Sequence, residues 1–322
     1  KILEIDPNYL SYDEKGSIYF FSGKADSAIK YMLKEDEVDP DNPWTNLMLG
    51  QIYVYYRNEV IKALPYFQKA LASGGDLEPE INIVISETFF LIGDNVKAEK
   101  YLKNAIFLRP ECSLIGEYGH FLFTQGKYSE ALNFLDSICM VNDCGQKCII
   151  SKYYLYLTEG DFEKAEHYYN SAVDAGYKQI EEYKVLYYWN LYKYDNLYLA
   201  CLFNETGRRN EALRILKEYI EVHEDFLKEN KDWPFLFQLS IIKLRLATAY
   251  AIMYEKDKAL KYLAELEKTV YFEFPCSIKT FPAFNKFRDD PEFKAILKSI
   301  EKKRAAIRAQ VRRMEEKGEI NM

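Results

Sequence analysis

GSIYFFSGKADSAIKYMLKEDEVDP, residues 16–40, decides the fold. Gly16 and Tyr19 lead up to Gly23, Ala28 and Met32 follow it at helical spacing, and Pro40 closes the stretch. Glycine reaches the left-handed conformation that stops a helix at little cost, and proline cannot continue one. The stretch therefore predicts two helices joined by a tight turn at Gly23. Gly16 and Ala28 are small where the two backbones must approach closely.

The same template returns outward from this stretch. SETFFLIGDNVKAEKYLKNAIFLRP, residues 86–110, supplies Ser86, Phe89, Gly93, Ala98, Leu102, Ala105 and Pro110. GHFLFTQGKYSEALNFL, residues 119–135, supplies Gly119, Leu122, Gly126, Ala131 and Leu135. The recurring alanine stands at Ala28, Ala63, Ala98, Ala131, Ala165, Ala212 and Ala259, with separations of 35, 35, 33, 34, 47 and 47 residues. Small residues at Gly16, Gly50, Ser86, Gly119, Ala200 and Ala247 sit where the second helix crosses the first. Gly23, Gly93, Gly126, Gly160 and Gly207 end first helices, and Pro40 and Pro110 close second ones.

With this period and these small residues the chain resembles a tetratricopeptide repeat protein over residues 9 to about 273. The resemblance implies an all-α, right-handed superhelical solenoid of about seven tandem helix-turn-helix units. The chain departs from the family pattern where Trp44 precedes its slot by two residues, and where Gly74-Gly75 or Tyr177 replaces a closing proline. KILEIDP at the start resembles the last turn of a second helix with its closing Pro7, so residues 1–8 are expected to end a truncated upstream repeat. The expectation that follows is a fragment or processed form of a longer chain. The two 47-residue intervals predict an extended or additional helix over 178–194, rich in tyrosine, and a lengthened second helix over 221–237 ending before Pro234.

Composition narrows the class. With 48% hydrophobic and 29% charged residues the chain can bury a large core. No run of 18 apolar residues exists, and the first residues carry no signal-peptide pattern, so no membrane insertion is expected. Six cysteines are ordinary usage for a reducing compartment and make cytoplasm the default location. Cys139, Cys144 and Cys148 lie close together, but no second cysteine pair and no nearby histidine completes a zinc set, and they read as small residues at an inter-repeat turn. No nucleophile elbow, phosphate loop or metalloprotease motif is present, and the three histidines stand alone, so neither a cofactor nor an enzymatic role is expected.

The resemblance places first helices along the concave surface. It implies a partner-binding groove for a protein or peptide formed by Trp44, Gln51, Tyr55, Glu87, Phe90, His120, Phe123, Tyr154 and Tyr194, with Asp13, Ser17, Phe20, Glu80, Ser113 and Lys147 at equivalent slots. Aromatic anchors with scattered polar groups suit an extended peptide or a helix. The competing reading gives the aromatics to packing between repeats. Co-chaperones of this family clamp a C-terminal carboxylate with Lys, Asn and Arg, whereas the matching slots here hold Asp13, Ser17, Met48, Glu80 and Val84, so a chaperone carboxylate clamp is not expected. The 28 tyrosines admit a second function, a secreted or lipid-anchored protein that stacks sugars, and equally admit tyrosine packing without a ligand.

Beyond residue 273 the template stops, and residues 274–322 read as a capping segment followed by a basic helix. In FPAFNKFRDDPEFKAIL, residues 281–297, Phe281, Phe284, Phe287 and Phe293 can cover the open face of the last repeat, and Pro291 suits a helical first turn. The segment resembles one that ends tetratricopeptide regions of bacterial winged-helix transcriptional regulators and adenylate-cyclase-type signalling proteins. That resemblance implies the regulatory C-terminal part of a larger bacterial protein. Residues 294–318 carry nine Lys/Arg against three Glu, a net of +6, and the rest of the chain sums to -13 within the total of -7. An acidic body argues against nucleic acid in the groove. Phe293, Ile300, Ile307 and Met314, with Ile296, Leu297 and Val311 between them, form a narrow apolar stripe interrupted by Arg304. Either the last repeat or a second copy of the chain, forming a homodimer, can cover it.

Overall fold

The computed structural model describes residues 10–139, 145–175, 195–231, 236–266 and 278–322. Among the described residues every regular element is helical. Consecutive antiparallel hairpins follow one another: α1 (Tyr12–Phe21) with α2 (Ala25–Val38), and α3 (Pro43–Gln51), prolonged by a π-helical turn over Ile52–Tyr56, with α4 (Val60–Ala72). Then come α5 (Glu78–Ile92) with α6 (Asn95–Leu108), α7 (Cys112–Thr124) with α8 (Tyr128–Cys139), and α9 (Gly145–Glu159) with α10 (Phe162–Asp174). The last two pairs are α11 (Asp195–Glu205) with α12 (Arg209–Glu229), and α13 (Leu236–Met253) with α14 (Lys256–Glu265). A 3₁₀ turn over Pro282–Phe287 leads into the long α15 (Pro291–Glu316). The tyrosine-rich expectation for 178–194 lies outside the described residues.

The hairpins close as the small residues require. A Cβ added at Gly50 would stand 2.1 Å from the Phe67 ring, and one at Gly16 would stand 2.8 Å from Met32. Ser86 instead donates its hydroxyl to the Ala98 carbonyl at 2.8 Å. The glycines at the turns take φ of 75° at Gly23, 76° at Gly93, 75° at Gly126, 89° at Gly160 and 84° at Gly207. Two repeats lack this glycine, and there Asn58 (φ 57°) and Tyr254 (φ 66°) adopt the left-handed conformation in its place. The lengthened second helix is α12, at 21 residues.

Stacked tyrosine pairs staple four of the hairpins. Tyr19 and Tyr31 stack at 5.4 Å, Tyr53 and Tyr66 at 5.7 Å, Tyr156 and Tyr168 at 5.4 Å, and Tyr250 and Tyr262 at 5.9 Å, all within 16° of parallel. Lys24, Lys62, Lys164 and Lys258 lie over the first ring of these pairs. Such pairs contribute about 0.5–1.5 kcal/mol beyond the area they bury. These four pairs place eight of the 28 tyrosines in packing between helices.

Two apolar cores run through the array. One joins the first four hairpins, from Phe20 and Met32 through Phe67 and Phe89 to Leu135, and the other joins Tyr153, Leu157 and the later hairpins. Helix α13 meets the length and composition of a membrane span, yet it is an inner helix with 67% of that stretch buried. Phe237 at its start meets Tyr55 of the second hairpin with ring centroids 5.0 Å apart, and Leu236, Phe237 and Ser240 share a crevice with Val54, Asn58, Val60 and Leu91. The array thereby turns back and meets itself.

The four phenylalanines of 281–293 are buried in the second core, with Phe281 and Phe284 fully enclosed. They do more than cover the last hairpin, because Phe281 also packs edge-on against Tyr198 of α11 at 5.2 Å. Pro291 begins α15, and the Asp290 side chain accepts from the Glu292 and Phe293 amides at 2.9 and 3.1 Å. Cysteine usage is corrected at one position: Cys148 is buried and disulfide-bonded rather than a packed thiol.

Candidate partner-binding groove

Of the residues expected to line the groove, six make contacts between neighbouring first helices. Trp44 on α3 donates its indole N–H to Ser17 of α1 at 3.2 Å. Tyr55, in the π-turn that prolongs α3, donates its hydroxyl to Glu87 of α5 at 2.6 Å. Phe90 of α5 tilts against Phe121 of α7 at 5.7 Å. His120 of α7 tilts against Tyr154 of α9 at 5.7 Å, and Tyr154 against Tyr198 of α11 at 4.5 Å. From α1 to α11, a residue on each first helix thus reaches the next one along the array.

Burial divides the expected site. Gln51, Tyr55, Phe90 and His120 are buried, whereas Trp44, Glu87 and Tyr154 keep part of their surface. Phe123 belongs to its own hairpin: it is 2% exposed, with its ring against Tyr128 at 4.7 Å, which fits the packing reading. Tyr194 lies outside the described residues. Of the slots compared with a carboxylate clamp, Met48 and Val84 are buried and Glu80 pairs with Arg109.

Sequence reading missed Glu117, one turn before His120 on α7. Although Glu87 and Glu117 are only partly buried by surface area, their carboxyls stand inside the turn of repeats, and loss of water sets their ionisation. Burial pushes Glu87 up to about 7, against the opposing hydrogen bond from Tyr55. Burial, then the charges of Glu87 and Glu111, push Glu117 up to about 8. Burial drives His120 down to about 4, and Tyr55 is pushed well up by burial and then by Glu87. The inner band therefore favours its uncharged forms. Among the described residues no group of three His, Cys, Asp or Glu is arranged to hold a metal ion.

The apolar stripe of α15 is covered by the chain itself. Phe293, Ile296 and Ile300 sink into the second core, and Val311 enters the first, with Ile307 and Met314 at its edge. Arg304, which looked like an intrusion, is 5% exposed and donates to the Phe90 carbonyl at 2.9 Å. Arg308 donates to the Ile92 carbonyl at 2.6 Å and pairs with Glu301 at 2.6 Å. The stripe is used within one chain and supplies no argument for a homodimer.

Comparison with known proteins agrees with this architecture. The tetratricopeptide repeat family model matches residues 10–42 and 154–175. No curated protein sequence matches the chain. Among solved structures, a tetratricopeptide repeat protein from Parabacteroides merdae ATCC 43184 is 17% identical with a TM-score of 0.52, covering 90% of this chain and 97% of that one. The MamA protein is 20% identical with a TM-score of 0.43, covering 55% of this chain and 96% of its own. The TPR domain of P58(IPK) is 14% identical with a TM-score of 0.27, covering 96% and 91%. The chain is thus an all-α solenoid with tetratricopeptide repeats matched over residues 10–42 and 154–175.

Proposed function

We propose that the chain recognises a peptide or partner protein through the inner band of its first helices. The observation that carries this reading is the series of contacts between successive first helices, Trp44 with Ser17, Tyr55 with Glu87, His120 with Tyr154 and Tyr154 with Tyr198. A row of aromatic rings with isolated polar groups and suppressed charge suits an apolar segment whose few hydrogen-bonding groups meet Glu87. Recognition is non-catalytic in this reading. The regulatory context in a larger bacterial signalling or transcription protein rests on the resemblance of residues 281–293 alone, and the phenylalanines of that segment also have a packing task.

Peptides selected from a random display library on the full chain test the reading by fluorescence anisotropy. Trp44→Ala and Tyr154→Ala, at half-buried positions, are expected to weaken the selected peptides about tenfold or more, the scale of an aromatic hot spot. Phe107→Ala, at a residue 87% exposed on a second helix, is the control and should leave affinity unchanged. Equal affinity for all three variants and the original chain would remove the inner band from recognition.

A further inference from the structure

Helix α15 turns two unlike faces in opposite directions. Inward go Phe293, Ile296, Ile300 and Val311, together with Arg304 and Arg308, whose guanidinium groups reach the Phe90 and Ile92 carbonyls. The other seven of the nine basic residues between 294 and 318 are exposed. Lys294 pairs with Asp289, and Lys317 with Glu319. The exposed side chains of Lys298, Lys302, Arg312 and Arg313 have no partner among the described residues. At the α-helical repeat these four fall within a sector of about 100°, on the side away from the buried stripe. Along the axis they form two pairs, with about 15 Å between Lys302 and Arg312. Ala305 and Ala309 lie between the pairs on the same side, so nothing bulky interrupts the face. Glu316, exposed one turn past Arg312, marks its end.

This face fits an anionic partner, and the form of that partner follows from what the face lacks. Phe293 is the one aromatic residue of α15 and is 2% exposed, so no ring is offered for stacking on nucleic-acid bases. The apolar side that would enter a membrane surface is buried in the two cores. The rest of the chain, at net -13, repels a polyanion that overhangs the helix, such as a duplex or a lipid surface. A short acidic helix avoids that repulsion. Laid along α15, it sets carboxylates one turn apart against each cationic pair while its backbone passes over the alanines.

We propose that the outward face of α15 docks an acidic helical segment of a partner protein, whose carboxylates meet Lys298 and Lys302 at one end and Arg312 and Arg313 at the other. This face is separate from the inner band and does not depend on recognition there. Exposed ion pairs are weak singly, so the affinity comes from several acting together and falls as salt rises.

The probe is a labelled synthetic peptide, an alanine-based helix with glutamate at every fourth residue, titrated at low salt into the full chain and two variants. Lys298→Ala/Lys302→Ala/Arg312→Ala/Arg313→Ala is expected to weaken binding about tenfold or more, the combined loss of four exposed ion pairs. Lys30→Ala/Arg214→Ala/Lys217→Ala/Lys261→Ala removes the same charge from exposed positions on other helices and should weaken it by less than about threefold. All eight side chains are exposed, and thermal unfolding checks that both variants keep the fold. Should the α15 variant unfold, Lys298→Ala/Lys302→Ala and Arg312→Ala/Arg313→Ala taken separately must each weaken the peptide, and no loss in either sinks the proposal. Equal losses in the α15 variant and the control would show attraction to charge anywhere on the chain and overturn it, as would no binding to the original chain. A DNA duplex or phosphatidylserine vesicles held more tightly than the peptide, and lost in the α15 variant, would give the face to another class of partner and overturn it as well.

Discussion

Two kinds of seam hold this molecule, and they are made of different materials. Inside the hairpins the seam is local and repeated: a small residue opposite a bulky one, a left-handed turn and, in four of them, a stacked aromatic pair with a lysine above it. Where the array meets itself the seam is singular. Tyr55 touches Phe237, Arg304 reaches Phe90, and Phe281 reaches Tyr198, across sequence distances with no period. Many small contacts make the first kind tolerant of loss. The second concentrates its energy in a few enclosed side chains.

The largest test of that contrast removes one enclosed ring from the closing segment. Phe284 is 0% exposed and contacts Phe293 at 5.8 Å, so Phe284→Ala is expected to cost about 3–5 kcal/mol in urea unfolding. Tyr31→Leu, which keeps apolar bulk in a half-buried hairpin stack, should cost only the pair, about 0.5–1.5 kcal/mol. An equal or reversed order would break the distinction between the seams.

A smaller effect separates them by pH. Closing the turn encloses the carboxyls of Glu87 and Glu117, which fold with values of about 7 and 8 against an ordinary 4.5. A carboxyl whose value is raised on folding contributes fully below its unfolded value, and that contribution is lost as pH rises through the folded one. His120 and His223 are lowered from 6.5 to about 4, so their contribution is complete above 6.5 and lost as pH falls toward 4. Only the carboxyls therefore act between pH 6.5 and 8, and stability should fall there by about 1–2 kcal/mol, less than the full shifts because both side chains keep some exposure. Glu87→Gln/Glu117→Gln should flatten that slope in thermal unfolding. A slope unchanged by the double substitution would place the titrating groups elsewhere.

Legibility in the sequence follows the same division. Hairpin order, the glycine turns, the closing prolines and the tight crossings at Gly16, Gly50 and Ser86 were all readable, because a repeat states each rule several times. Closure was not, because Arg304 follows no period and reads as a flaw in an apolar stripe until the Phe90 carbonyl is seen beside it. Those of the expected groove residues that are described stand on first helices or the π-turn that prolongs α3, yet Phe123 faces its own hairpin and Gln51 is enclosed. Glu117 went unnoticed, since a single carboxyl on a helix has no sequence mark that tells an enclosed position from a solvated one. Asn58 and Tyr254 went unnoticed as turn residues because each stands where the other repeats use glycine or simply lacks its mark.

Those last two turns give the finest comparison. Both residues hold a left-handed backbone, which costs a non-glycine residue about 1–2 kcal/mol, with asparagine at the low end. Asn58→Gly relieves that cost but adds freedom to the unfolded chain, so the two effects nearly cancel and a change within about 0.5 kcal/mol is expected. Tyr254→Gly relieves more strain and still should destabilise. Its hydroxyl accepts from Asn204 at 2.8 Å, and its ring lies beneath Arg209 at 4.9 Å and Lys286 at 3.4 Å. The Lys286 contact ties the last hairpin to the closing segment, so losing the ring weakens the singular seam while the turn itself improves. Chemical unfolding of the two variants side by side measures the difference. Equal gains at both positions would show that the Tyr254 ring contributes nothing to closure.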